Sequence, residues 1–452
     1  MARVLIAATA VPGHVWPLLA VARHLVGLGH DVVLHTGSAF RDRAEATGAR
    51  FAPFRPAIDL DYRRLDEHFP QRRAIPPGVL QVAFGLKHLF ADAVPHQYDG
   101  LRDILAEFRA DAIIVDTMFC GVFPLLLGRR EARPPVVSLG ISALALSSVD
   151  TAPFGMALPP PGTQEERIRN AALNRQFQEV IFAETQSYFN SVLARLGVPP
   201  LPAFLFDSMI TLPDLYLQLA TPAFEYPRRD LPATVRFIGP IAPPSPNVDL
   251  PPWWDMLDGS RPVVVVTQGT LQNADFSELV GPTLTALAAE PVIVVATTGG
   301  PIDAIPVALP SNAQASSFLP FDRLLPKAAV LVTNGGYGAV TQALSQGVPL
   351  VVAGNSEEKP EIAARVAWSG AGINLRTGRP SVPQIRDAVR ALLTRPQYRQ
   401  RAEVIRDDFA RHNALDRIAE LVDALARGQG AIAGRNCAAD RQFQDQSAGG
   451  AT

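Results

Sequence analysis

The chain has 452 residues, 48% hydrophobic and 19% charged, which is enough apolar material for two buried cores and excludes a disordered or peptide-sized protein. Lys and Arg number 41 against 43 Asp and Glu, leaving a formal charge of −2, so no basic field is available to hold a nucleic-acid backbone. Cysteine occurs only at Cys120 and Cys437, too few for a disulfide framework or a four-thiolate metal site, and this suits a reducing, cytoplasmic setting.

Residues 3–9 (RVLIAAT) form a near-continuous apolar run of strand length. Pro12, Gly13 and His14 cut it short and no small-residue cleavage site comes after them, so it reads as a buried strand and not as a signal peptide. A helical pattern runs through Leu18, Leu19, Val21, Ala22, Leu25 and Leu28, stops at Gly29-His30, and gives way to a second strand at 31–35 (DVVLH). A strand–helix–strand unit of about 30 residues implies a parallel pair covered on both faces, which is why neither strand alternates. Residues 112–115 (AIIV) and 136–139 (VVSL) are further strands of that sheet. The stretch 59–109 before them is amphipathic and carries Phe69, Phe84, Leu86, Leu89 and Phe90.

The 41 prolines, well above the usual ~5%, are densest at 240–252 (PIAPPSPNVDLPP), which reads as a linker. Beyond it the same grammar restarts, with strands predicted at 262–267, 291–296, 313–318, 329–333 and 349–353. Helices are predicted near 276–289, 340–345 and 358–368, and helical patterns continue to about Ala426. The reading is α/β: two doubly wound domains at 1–239 and 256–426, a linker at 240–255, and an aperiodic tail at 427–452 expected to be disordered. No stretch of 18 uninterrupted apolar residues calls for a membrane span. Ligands of open parallel sheets bind at the carboxyl ends of strands, so the reaction is expected in the cleft between the two domains.

The sequence lacks GxxxxGK[ST], a GxGxxG after the first strand, a GxSxG elbow and an HExxH pair. The first strand leads instead into Gly13-His14-Val15-x-Pro17, an imidazole at a strand end just as a helix begins. Near the positive end of a helix dipole such a histidine stays neutral and accepts a proton, although capping or packing the turn is the plainer use. Asp116 ends the strand 112–115 and orients that imidazole if its strand neighbours the first; otherwise it caps the next helix. Asn334-Gly335-Gly336-Tyr337-Gly338 lies between a buried strand and a helix, where glycines admit close approach of backbone amides to a diphosphate. Gln268-Gly269-Thr270 is a smaller device of the same kind, and both sites have an ordinary tight turn as their alternative. The carboxylates in Asn355–Glu361 stand at a helix start, where capping is their commonest role.

These residues resemble, over most of the chain to about Arg427, the nucleotide-sugar-dependent glycosyltransferases of the macrolide and UDP-glycosyltransferase type, which have the GT-B fold. The resemblance rests on Thr333–Leu344 (TNGGYGAVTQAL), Gly347-Val348-Pro349, Ala363-Ala364-Arg365-Val366 and Gly370-Ala371-Gly372. In the first half it rests on Gly13-His14-Val15-x-Pro17, Gly29-His30-Asp31-Val32 and Phe237-Ile238-Gly239-Pro240. It implies His14 as catalytic base and Asp116 as its partner. Donor contacts are implied at Gly13, Thr270, Phe318, Leu319, Asn334, Gly335, Gly336, Gly338, Ala339, Val340, Gln342, Glu358 and Lys359. It implies inverting, metal-independent transfer from a UDP- or dTDP-sugar, a co-substrate and not a bound cofactor, to a small hydrophobic acceptor. Phe69, Phe84, Leu89 and Phe90 are the acceptor candidates, with ordinary core packing as the alternative for each. The sequence makes three departures from the family pattern: Asn334 replaces a histidine, Phe321 a glutamine, and Glu358-Lys359 an Asp-Gln pair. They leave open a degenerate relative that binds a nucleotide sugar without turnover, against which stands the presence of both His14 and Asp116.

Overall fold

The computed structural model describes residues 1–62, 65–75, 78–241, 249–269 and 275–428. Thr270, residues 242–248 of the linker and most of the tail lie outside the described residues. The first sheet is built from β1 (Arg3–Ala7), β2 (Asp31–Thr36), β3 (Arg50–Pro53), β4 (Ala112–Asp116), β5 (Val136–Gly140), β6 (Leu215–Gln218) and β7 (Val235–Phe237). The second contains β8 (Val263–Thr267), β9 (Ile293–Thr297), β10 (Ala313–Ser316), β11 (Ala328–Thr333), β12 (Leu350–Val352) and β13 (Gly372–Asn374). Their orders are β3-β2-β1-β4-β5-β6-β7 and β10-β9-β8-β11-β12-β13. The paired strands run parallel, which requires a crossover after each strand and explains the regular alternation with helices.

Each predicted strand is present within a few residues of its expected ends, while β3, β6, β7 and β13 had no clear signal. These four are only three or four residues long, too short for an apolar run to stand out. The helix expected from 276 begins at Val280 and ends at Leu287, because the Gln268 side-chain carbonyl accepts the N–H groups of Leu279 and Val280 and caps the helix there.

The longer helices of the first half are α1 (Pro12–Gly27), α2 (Val94–Glu107), α3 (Gln164–Gln176) and α4 (Ala183–Arg195). The second half adds α5 (Val280–Leu287), α6 (Tyr337–Ser345), α7 (Lys359–Trp368), α8 (Val382–Thr394), α9 (Pro396–Phe409) and α10 (Ala414–Ala426). Helix α10, expected from its position in the chain to belong to the second half, packs on α1 and β4 instead. Its Ala414, Ile418, Ala419, Leu421 and Val422 belong to the first core. The second core in turn takes in Ala143, Ala220 and Phe224 from the first half, so the two halves interlock. Among the described residues no helix is long and apolar enough to cross a membrane.

Candidate active site

In each sheet the strand order reverses direction once, between β1 and β4 in the first and between β8 and β11 in the second. The loops that leave the two strands at such a point part from each other and open a crevice. His14 lies in the first turn of α1, just beyond β1, and Asp116 is the last residue of β4. Their strands are direct neighbours, and His14 Nδ1 is 2.8 Å from Asp116 Oδ1.

The surroundings of Asp116 define its role. It is 1% exposed and accepts the backbone N–H of Thr9 at 2.6 Å, the Thr9 hydroxyl at 3.2 Å and the Met118 N–H at 2.9 Å, besides the imidazole. A carboxylate so held has only acceptors to offer, so the ring carries its hydrogen on Nδ1 and keeps Nε2 as a proton acceptor. Asp116 does not cap the next helix, which begins at Cys120 after Phe119 with no side-chain cap; its carboxylate closes the turn at Met118 and orients the imidazole. Thr9, the polar residue that closes the first apolar run, was not singled out in the sequence. Tyr62 was also missed: burial, then Asp116 and Cys120, push its hydroxyl well above the ordinary tyrosine range, so it sits within electrostatic reach of the pair.

Across the cleft, Gln268-Gly269 leaves β8 and Asn334-Gly335 leaves β11, and the Asn334 side-chain amide donates to the Gln268 carbonyl at 2.6 Å. Gly335 has φ +90°, and a Cβ there would lie 2.9 Å from Val352 Cγ1, so only glycine fits. Gly354, which carries no mark in the sequence, has the same kind of constraint, since a Cβ would come within 2.0 Å of the Asn334 carbonyl oxygen. Gly336 is the N-cap of α6. A helix start leaves its first N–H groups without intrahelical acceptors, and here these belong to Tyr337, Gly338 and Ala339. Val340 is different from expectation: it is fully buried and its N–H donates to the Gly336 carbonyl at 3.1 Å, so it has no amide to give an anion. A depression beside this cradle is lined by Gln268, Asn334, Gly354, Asn355 and Gly378.

The other donor candidates fall in unequal places. Phe318 is 56% exposed, while Leu319 is buried. The Gln342 side chain turns back to the Gly338 carbonyl at 3.0 Å. Lys359 is buried and its ammonium is paired with Glu357, so the cation does not project into the cleft. Glu357, a left-handed residue at φ +53°, is the more open partner, and it was not among the expected contacts. Burial pushes its carboxyl up, but Lys359, with Arg72 and His14 adding to the effect, brings it below the usual glutamate range. His14 and Arg72 of the first half and Glu357 of the second thus share one electrostatic environment.

Of the acceptor candidates, Phe69 and Phe84 are half-buried and meet edge to face with centroids 6.1 Å apart; Phe84 continues to His88 at 4.6 Å. Leu89 is half-buried, Phe90 packs against the first core, and Leu86 is buried in it. Core packing therefore accounts for Phe90 and Leu86, and the open aromatic surface is that of Phe69 and Phe84.

Residues 282–425 match the family profile described as Erythromycin biosynthesis protein CIII-like, C-terminal domain. The chain is 42% identical over 425 residues to 4'-demethylrebeccamycin synthase of Lentzea aerocolonigenes, covering 94% of this chain and 99% of that protein. It is 37% identical over 438 residues to UDP-glycosyltransferase 2 of Phaeomoniella chlamydospora, covering 94% and 95%. Among solved structures, CalG4, the calicheamicin glycosyltransferase, superposes with a TM-score of 0.72 at 23% identity, over 96% of this chain and 100% of that one. The two parallel sheets are those of the GT-B fold, and the chain belongs to the macrolide and UDP-glycosyltransferase family of glycosyltransferases.

Proposed function

We propose that this glycosyltransferase moves a sugar, with inversion and without a metal ion, from a UDP- or dTDP-sugar to a hydroxyl of a small hydrophobic acceptor. The observation that carries the reading is the imidazole of His14 held through Nδ1 by buried Asp116, with Nε2 left to accept a proton at the end of β1. An acceptor hydroxyl at Nε2 loses its proton as its oxygen attacks the anomeric carbon. The bond to the diphosphate breaks with its electron pair going to the phosphate oxygen. An attack from the face opposite the leaving group turns an α-linked donor into a β-linked product.

The free amides of Tyr337, Gly338 and Ala339 and the positive end of α6 support a site for the departing negative charge. The Asp116 carboxylate stabilises the imidazolium that forms. The labour is divided between the halves: the first, with Phe69 and Phe84, takes the acceptor, and the second takes the donor, with Phe318 under the base. Transfer from UDP- and dTDP-sugars to phenolic and polyketide acceptors, with the anomeric configuration of donor and product read by NMR, tests the reading. Retention of configuration in the product contradicts it.

Two further results are expected. Grafting residues 59–109 from a related enzyme of different acceptor range moves acceptor preference with the graft and leaves the sugar unchanged. A folded chimera that keeps its original acceptor, or changes its sugar, refutes that assignment. For the donor, Asn334 cannot titrate and the diphosphate of a nucleotide sugar, esterified at both ends, has no ionisation near neutrality, so donor affinity stays flat across the histidine range near pH 6–7. In Asn334→His the affinity strengthens as pH falls through that range, because the imidazolium adds charge beside the cradle. Calorimetric titration with a UDP-sugar from pH 5.5 to 8 checks this, and a flat profile for both proteins removes the account.

A further inference from the structure

Tyr337 stands between the glycines of the cradle, yet its side chain leaves the cleft. It is 7% exposed and crosses to the first half, where its hydroxyl accepts from Gln218 Nε2 at 3.0 Å and donates to the Leu219 carbonyl at 3.4 Å. Gln218 is the last residue of β6 and fully buried, and the same Nε2 donates to the Ser142 carbonyl at 2.7 Å. Room for this amide exists because residue 140 is glycine: a Cβ there would lie 2.5 Å from Gln218 Oε1 and 2.6 Å from the Tyr216 hydroxyl. Tyr216 in turn meets the Thr117 hydroxyl at 3.2 Å, and Thr117 is the residue after Asp116. The Gln218 amide that holds Tyr337 and the Tyr216 hydroxyl that meets Thr117 thus lie side by side over Gly140, so the Tyr337 contact is seated next to the strand end that carries the Asp116 carboxylate.

We infer that Tyr337 is a positioning residue for glycosyl transfer: its bond to Gln218 and Leu219 fixes the donor cradle at a set distance from the His14–Asp116 pair. The inference rests on the proposed roles of that pair and of the cradle. The physical need is clear, because in-line attack tolerates little error in the separation of acceptor oxygen and anomeric carbon, and the two are held by different halves of the chain. A hydroxyl bonded at the first residue of α6 acts at the place where the leaving group would be held. Its burial keeps water from competing for the bond. An aromatic ring that only lined the donor pocket would have no use for a hydroxyl turned away from it.

The test is a double-mutant cycle of Tyr337→Phe and Gln218→Met in the full-length chain, measuring kcat for transfer, Kd for UDP by calorimetry, and thermal melting. Tyr337→Phe keeps the ring and is expected to lower kcat about five- to tenfold, the scale of a misplaced reacting group and not of a lost catalytic one. UDP affinity changes less than about twofold, since the cradle itself is intact, and the double variant is no slower than the slower single variant, as expected for two ends of one contact. The inference is overturned if Tyr337→Phe transfers at the wild-type rate. It is equally overturned if UDP affinity falls in proportion to kcat, which makes Tyr337 a donor contact, or if the two substitutions act independently. His14→Ala assayed in parallel separates the two levels: full activity in that variant removes the proposed base, whereas full activity in Tyr337→Phe alone removes only the positioning role.

Discussion

His14→Ala lowers kcat for transfer to an alcohol by roughly 10²–10⁴, the contribution of a positioned general base, while Kd for UDP changes little. The reason is local. The imidazole is the group at the end of β1 with a free ring nitrogen, and the Asp116 carboxylate that holds its other nitrogen is itself held by Thr9 and Met118. A phenol acceptor of low pKa already carries part of the negative charge that the base would generate, so its rate suffers less. Parallel kinetics on an alcohol and an acidic phenol decide the matter; equal losses on both mean that the histidine acts by shape and not by proton transfer. Near-full turnover with the alcohol removes the base mechanism outright.

Glu225→Ala destabilises the fold by about 3–5 kcal/mol, the usual cost of breaking a buried ion pair by removing one partner. Glu225 lies beyond β6 in the first half and is 2% exposed, and both of its oxygens are used. Arg365 of α7 donates to it from Nε at 2.8 Å and Nη2 at 2.7 Å, Arg228 at 3.3 Å, and the Leu144 N–H at 2.9 Å. Arg365 also pairs with Glu361 at 2.8 Å, and Glu361 accepts the N–H groups of Gly155 and Ala157 from the first half. Truncating Glu225 strands the Arg365 and Arg228 cations with too few anions in a dry seam.

The pH dependence has a defined sign. Burial pushes the Glu225 carboxyl up, but Arg365 and Arg228 outweigh it and hold the carboxyl below the ordinary glutamate range. Its contribution is therefore complete above the unfolded value of about 4.3 and is lost as pH falls through the depressed folded value. Denaturant melts of wild type and Glu225→Ala should differ by several kcal/mol at pH 7 and converge in acid. A variant as stable as wild type at pH 7 shows that the network does not hold the seam.

Strand and helix order was legible in the sequence because both faces of each parallel sheet are covered, so β1, β4, β8 and β11 appear as unbroken apolar runs. The pattern after those runs, histidine or glycines at a strand end, marked His14, Asp116 and Asn334–Gly338 through local rules about helix starts and close backbone approach. Other features are long-range and leave no local mark. Whether Asp116 reaches His14 depends on β4 pairing with β1 across an intervening 100 or so residues, and strand order is a property of the folded sheet. Helix α10 has the same apolar stripe whichever core it joins, so only packing assigns it to the first. Thr9, Gly354 and Tyr337 are an ordinary hydroxyl, glycine and tyrosine in sequence; tertiary contacts with Asp116, Asn334 and Gln218 make them specific. Glu225 and Arg365, 140 positions apart, carry no shared motif, and two buried charges become tolerable only where the fold brings them to 2.7 Å.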